Sequence, residues 1–276
     1  MKKKSKFKIQ PYSKESQITH LLRLNNKEKL SIFVGAGISA SCGLPDWPCL
    51  LSSLRSEIEL EGGTINQTDD VANRARDLFG SVFNTKVANC LYKNGIDISE
   101  SALSVAKSGI KSIVCFNFDD ILEETFQTEG IHHNSVLSGE KFNLINDGTT
   151  IFHPHGYLGR FDSELEQGKS RIILSNSDYE HLYGDHYCLT NLIQLSMLMT
   201  RTVLFVGMSM TDTNTKRLLK KAREVGVWHW HYALMKVESD EQAQNETKRL
   251  RGIGVDPVWY RDHSDIPGIM RKISKN

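Results

Sequence analysis

Residues 30–40 read LSIFVGAGISA: an almost wholly apolar run of branched and aromatic residues stops at two glycines with one alanine between them. A strand that is apolar along its length is covered on both faces, as in parallel sheets sandwiched between helices. The bare backbone at Gly35, Ala36 and Gly37 then implies either a tight strand-to-helix turn or a close approach to another group, a phosphate among the candidates. With Ala40 the stretch even fits the G-x-G-x-x-G/A pattern of dinucleotide sites, which is a weak signal when it stands alone.

The rest of the chain repeats the alternation. LSIFV (30–34), SIVCF (112–116), TIF (150–152), TVLFV (202–206), HYALM (231–235) and PVWY (257–260) read as strands. Helix-like patterns occupy 101–109, 120–127, 188–199, 211–224 and 264–273. This order predicts an α/β fold, a Rossmann-like open parallel sheet with helices on both faces. Residues 1–24 read as a basic N-terminal arm and 25–276 as the domain, with a mostly helical insertion at 51–110 and a lid or second insertion at 156–187. Two details depart from an ordinary Rossmann dehydrogenase. Glu57 and Glu59, near the spacing of a ribose-binding acid, fall in a helical pattern, and Pro45 and Pro48 put a loop after the turn.

Composition narrows the partners. With 34 Lys and Arg against 33 Asp and Glu, the formal charge of +1 predicts no direct nucleic-acid binding and no membrane surface. The cationic run KRLLKKAR (216–223) reads as a solvated helix face. Five cysteines without a CxxC pair fit free thiols in a cytoplasmic protein. HLYGDHYC (181–188) gathers two histidines, an aspartate and a cysteine, but in no metal-ligand spacing, so no metal is expected.

Four segments in a fixed order resemble the sirtuin family: GAGISASCGLPDW (35–47), CFNFDD (115–120), HPHG (153–156) and GMSMTDTN (207–214). The resemblance covers roughly 25–275, but the interval where sirtuin deacylases carry a four-cysteine zinc ribbon holds only Cys188, and Pro48 stands where deacylases commonly have an arginine. The chain is therefore most similar to prokaryotic sirtuin-like effectors of anti-phage defence, which hydrolyse NAD. That resemblance implies NAD as substrate, with His155 as general base and Asn117 positioning water or a ribose hydroxyl. It further implies that Gly35, Ala36, Gly37 and Ser39 cradle phosphates, Pro45, Trp47 and Phe118 wall the nicotinamide pocket, Asp119 meets the carboxamide, and Gly207 and Ser209 hold the adenosine end. His153 reads as a structural neighbour of His155, and Asp212 as a helix cap.

An NAD hydrolase must be restrained, so homo-oligomerisation or a separately encoded regulatory protein, Argonaute-like or an ATPase, is expected. Two other readings stay open: a zinc-free protein deacylase or ADP-ribosyltransferase, and a module that senses NAD or ADP-ribose without turnover.

Overall fold

In the computed structural model of the chain, which describes residues 13–66, 70–137, 148–160 and 172–275, Leu30–Val34 (β1) is buried at every position. It lies between two parallel neighbours, Ser112–Cys115 (β2) and Thr202–Val206 (β5), with Ile32 opposite both Ile113 and Leu204. Outside β2 come Thr149–His153 (β4) and then His133–Leu137 (β3); outside β5 come His231–Lys236 (β6) and Val255–Tyr260 (β7). The sheet order is β3-β4-β2-β1-β5-β6-β7, parallel throughout.

Strand periodicity divides the core in two. Ile32, Val34, Ile113, Leu204 and Val206 point into one cluster, and Phe33, Val114, Val203 and Phe205 into the other. The first is covered by Lys14–Asn26 (α1), Glu100–Ala106 (α6), Ile121–Thr128 (α7) and Asp265–Ile273 (α12), which supply Leu21, Val105, Phe126 and Met270. The second is covered by Leu189–Thr200 (α9), Thr213–Glu224 (α10) and Asp240–Gly252 (α11), through Leu198, Leu219 and Leu250. Helices therefore lie on both faces, as the alternation predicts.

The glycine turn opens into one short helix, Ala36–Ala40 (α2), and the prolines follow. Pro48 sits in the first turn of Trp47–Leu60 (α3), where a missing N–H costs nothing, and Asp46 caps that helix by accepting from Cys49 N at 2.9 Å. With Val71–Phe79 (α4) and Phe83–Leu91 (α5), α3 builds a third apolar cluster that also takes in Phe118, Leu158 and Leu174. Within the stretch read as a helical insertion, α3, α4 and α5 form this cluster, while α6 packs on the sheet. Part of the 156–187 stretch lies outside the described residues, as do residues 1–12; from Asn176 to Gly184 it forms α8.

Two sequence expectations need amendment. The arm read at 1–24 forms α1 from Lys14, whose Leu21 is fully buried and which packs on α12. The strand β3 has no counterpart among the six expected. HNSVL is half-buried with only Val136 well covered, because an edge strand pairs on one side and carries polar residues there.

The parallel arrangement leaves the C-terminal ends of β4, β2, β1 and β5 adjacent along one rim of the sheet. From β1 the chain moves outward to β2 and on to β3 at the edge, steps back to β4, and then crosses to β5 on the other side of β1, so the direction of travel across the sheet reverses at β1. In open α/β sheets a crevice forms at such a reversal.

Candidate active site

At the end of β1 the glycines serve a contact between two loops. A Cβ on Gly35 would lie 2.8 Å from Gly207 O, and one on Gly37 would lie 2.9 Å from Gly207 Cα. Gly207 itself has φ +68°. The turn is locked to the end of β5 by hydrogen bonds from Gly35 N to Val206 O and from Gly37 N to Gly207 O. Much of the backbone polarity expected to face a phosphate is therefore used inside the protein, and the requirement for glycine is steric.

Asn117 follows β2 and is buried. Its Nδ2 donates to Gly35 O at 3.1 Å and to Ser39 Oγ at 2.7 Å. Both amide protons are thereby taken, and the group this side chain offers a ligand is the Oδ1 acceptor. Ser39 in turn hydrogen-bonds Asp119, whose Oδ1 accepts from Ile121 N at 3.2 Å at the head of α7. Burial pushes the Asp119 carboxyl up to about 6, against those two hydrogen bonds. One carboxylate thus serves both as a cap and as a wall of the cleft.

His155 stands just past β4, in a cage of rings. Centroids of Phe116, Tyr179, Tyr183 and Phe118 lie 5.3, 5.0, 6.0 and 6.3 Å from its own. Its Nε2 is 2.6 Å from the Tyr183 hydroxyl; Nδ1 is 3.3 Å from Phe116 O and 3.4 Å from the Tyr179 hydroxyl. Burial lowers its pKa to about 4, with the Asp212 charge and the Phe116 carbonyl opposing more weakly. At neutral pH the imidazole is uncharged, the form a general base requires.

His153, the last residue of β4, has another job. Its Nε2 lies 2.7 Å from Glu123 Oε1 on α7, and Ser135 Oγ donates to the same oxygen. Burial alone would lower the His153 pKa, yet the Glu123 charge raises it well above the ordinary 6.5, and His153 in turn holds Glu123 below 4.5. A raised histidine stabilises fully below pH 6.5, and that contribution fades as pH climbs toward the folded value; a lowered carboxylate stabilises above pH 4.5 and fades below it. Glu123→Gln is therefore expected to cost about 3–5 kcal/mol. Urea unfolding should find the loss greatest between pH 4.5 and 6.5 and shrinking above; a loss that stays level from pH 6.5 upward would contradict the assignment.

A cleft of about 480 Å³ opens at this rim. Gly35, Ala36, Gly37, Ser39, Pro45, Trp47, Asn117, Phe118, Asp119, His155, Gly207 and Ser209, all singled out from the sequence, line it together. Asp212 lines it too, while capping α10 by accepting from Thr215 N at 2.5 Å, so the reading as a cap covers half of its position. Among the described residues no lysine or arginine faces this cleft. Sequence reasoning missed Phe116, taken only as the end of a strand, and the α8 tyrosines. Tyr183 lies in HLYGDHYC, weighed there only as a metal motif.

A profile of the SIR2-like domain family matches residues 111–258. The chain is 26% identical over 273 residues to the NAD(+) hydrolase ThsA of Enterococcus faecium, covering 90% of this chain and 56% of that protein. It is 24% identical to the ThsA of Bacillus cereus (91% and 55%) and 20% identical to defense-associated sirtuin 2 of Bacillus subtilis (83% and 23%). The chain thus spans about half the length of the NAD(+) hydrolases it matches. In fold it is similar to a solved structure described as Structural Basis for the Mechanism and Regulation of Sir2 Enzymes, with TM-score 0.50 and 14% identity over 93% of this chain and 96% of that one.

Proposed function

The chain belongs to the family of SIR2-like domains, and from that premise we propose that it hydrolyses NAD to nicotinamide and ADP-ribose in a bacterial anti-phage defence system. One observation carries the reading. Four segments far apart in sequence, ending at Gly37, Asp119, His155 and Asp212, meet around a single cleft at the C-terminal ends of four adjacent strands. The names of the relatives supply the substrate: four matched proteins are NAD(+) hydrolases and another is a defense-associated sirtuin.

Cleavage of the nicotinamide–ribose bond requires that the ring be held, that the nascent ribosyl cation be tolerated, and that a hydroxyl nucleophile be aimed. Asp119, ionised above pH 6, faces the cleft as a carboxylate suited to the carboxamide N–H and the cationic ring. Asn117 Oδ1 accepts a hydrogen bond from water or a ribose hydroxyl and so fixes its lone pair toward the anomeric carbon. Neutral His155 takes the proton as the new C–O bond forms, and neutral nicotinamide leaves with the bonding pair. With no cation facing the cleft among the described residues, the pyrophosphate is held by backbone and by hydroxyls such as Ser209 and Thr211. A hydrolase of this kind depletes a shared cofactor, so control falls to a second copy or a separately encoded protein.

The test is direct: purified protein is incubated with NAD and free nicotinamide is followed. Asn117→Ala is expected to lower kcat about a hundredfold, as loss of a preorganised polar group does elsewhere. Unchanged release in that variant refutes the role given to the amide.

A further inference from the structure

Resting on the hydrolase reading above, we propose that Asp212 is a catalytic residue: its carboxylate, held at the head of α10, faces the ribosyl cation that forms as nicotinamide leaves.

Three carboxylates line the cleft, those of Asp46, Asp119 and Asp212. Asp46 is exposed, so water screens its charge, and Asp119 meets the nicotinamide end. Asp212 is half-buried and its Oδ2 accepts from Thr215 N. Among the described residues no hydrogen bond reaches its Oδ1, and no lysine or arginine faces it from the cleft. The dipole of α10 steadies this charge without neutralising it.

The same charge acts on one wall of rings. Burial is the main influence on His155, Tyr179 and Tyr183, and in all three the Asp212 carboxylate comes next, favouring the protonated ring in the histidine and the protonated hydroxyl in the tyrosines. The hydroxyls of Tyr183 and Tyr179 are themselves 2.6 and 3.4 Å from the His155 nitrogens. The carboxylate therefore looks onto the space in front of His155, where the ribose must sit for that side chain to act.

The backbone that aims Asp212 is strained. Met210, buried, has φ +59°, a left-handed conformation that a residue with a Cβ adopts at a cost, and Arg249 of α11 secures it by donating to Met210 O at 3.0 Å. Ser209 and Thr211 flank Met210. Their hydroxyls are the ones offered to the pyrophosphate, and the nicotinamide ribose is the next group along the dinucleotide, so one loop meets both.

The chemistry asks for a carboxylate there. In NAD the positive charge lies on the nicotinamide ring. As the C–N bond breaks, its electron pair leaves with nicotinamide, and the charge passes to the anomeric carbon and the ring oxygen until the oxygen of water bonds to that carbon and gives up its proton. A negative group beside the ribose stabilises this transition state more than the bound substrate, and so raises kcat rather than affinity. Asp119 meets the charge where it begins; Asp212 meets it where it arrives.

Asp212→Asn keeps the shape and the helix cap and removes the charge. It is expected to lower kcat for nicotinamide release about 10- to 100-fold, with KM for NAD within about twofold and the urea midpoint unchanged. Asp212→Ser, which also caps, should show the same loss. A parallel calorimetric titration compares ADP-ribose with ADP-(hydroxymethyl)pyrrolidinediol, in which a protonated pyrrolidine stands in place of the terminal ribose. Wild type should bind the pyrrolidinium compound about tenfold more tightly, the worth of one charge contact, and Asp212→Asn should bind the two alike. Wild-type turnover in either variant, a loss confined to KM, or a wild type without preference for the cation overturns the proposal. So does a kcat loss that tracks a fall in the urea midpoint in both variants, which marks a cap alone. If wild type releases no nicotinamide, yet prefers the pyrrolidinium and loses that preference in Asp212→Asn, the hydrolase reading fails by itself and the placement of the carboxylate at the ribose stands.

Discussion

Replacement of His155 by alanine is expected to lower nicotinamide release from NAD by about 10²- to 10⁴-fold, the span that general-base catalysis supplies, while NAD remains bound. The separation of the two effects follows from the site. The ring reaches the cleft as one wall among many, so the cleft keeps its glycine turn, Asn117 network and Asp119 carboxylate without it. What disappears is a neutral imidazole held by burial near pKa 4 with a nitrogen within reach of the cleft. Calorimetric titration with NAD, run beside the nicotinamide assay, measures both quantities on one sample. Turnover undiminished in His155→Ala would remove the base from the mechanism, and binding lost along with turnover would make the histidine a structural post.

Gly207→Ala is expected to destabilise the protein by about 2–5 kcal/mol and to abolish NAD binding, because two penalties coincide there. The backbone at φ +68° disfavours any side chain with a Cβ. That Cβ would also stand 2.8 Å from Ile38 N and 3.0 Å from Gly35 O, backbone atoms that cannot swing aside. Relief would come only by pulling the β5 loop away from the β1 turn, and that opens the cleft. Gly62→Ala separates the two causes, since Gly62 has φ +76° but nothing within 4 Å of the added carbon. Its loss should be about 1 kcal/mol. Equal losses in the two variants, measured by urea unfolding, would show that crowding contributes nothing at the loop contact.

The residues of the rim were legible because they belong to short segments whose order could be checked one against another. GAG after a buried strand, NFDD after the second, His-Gly after a third and GMS after a later one each said little alone, yet the sheet places their parent strands side by side. The strands themselves were legible where burial on both faces made them continuously apolar, as at TVLFV. HNSVL escaped because an edge strand lacks that signature. The purpose of the glycines was only half visible: bare backbone reads from sequence, but its partner, Gly207, lies far along the chain and emerges only once β1 and β5 are paired. Tyr179 and Tyr183 were hidden for a similar reason. Nothing in a Tyr-rich stretch says which imidazole it will meet, and the meeting depends on Arg76 and Asp70 anchoring α8 from another helix.

Because the proposed reaction centre is stitched from β1, β2, β4 and β5, it has no local precursor. A ribosome-bound chain that has emerged only through the HPHG segment already carries the base and the amide, yet its cleft lacks the wall formed by Gly207 to Asp212, and the β1 turn has nothing to lean against. On the hydrolase reading proposed above, this topology delays competence until β5 and the loop after it have been synthesised, so fragments released by interrupted translation upstream of β5 would leave NAD intact.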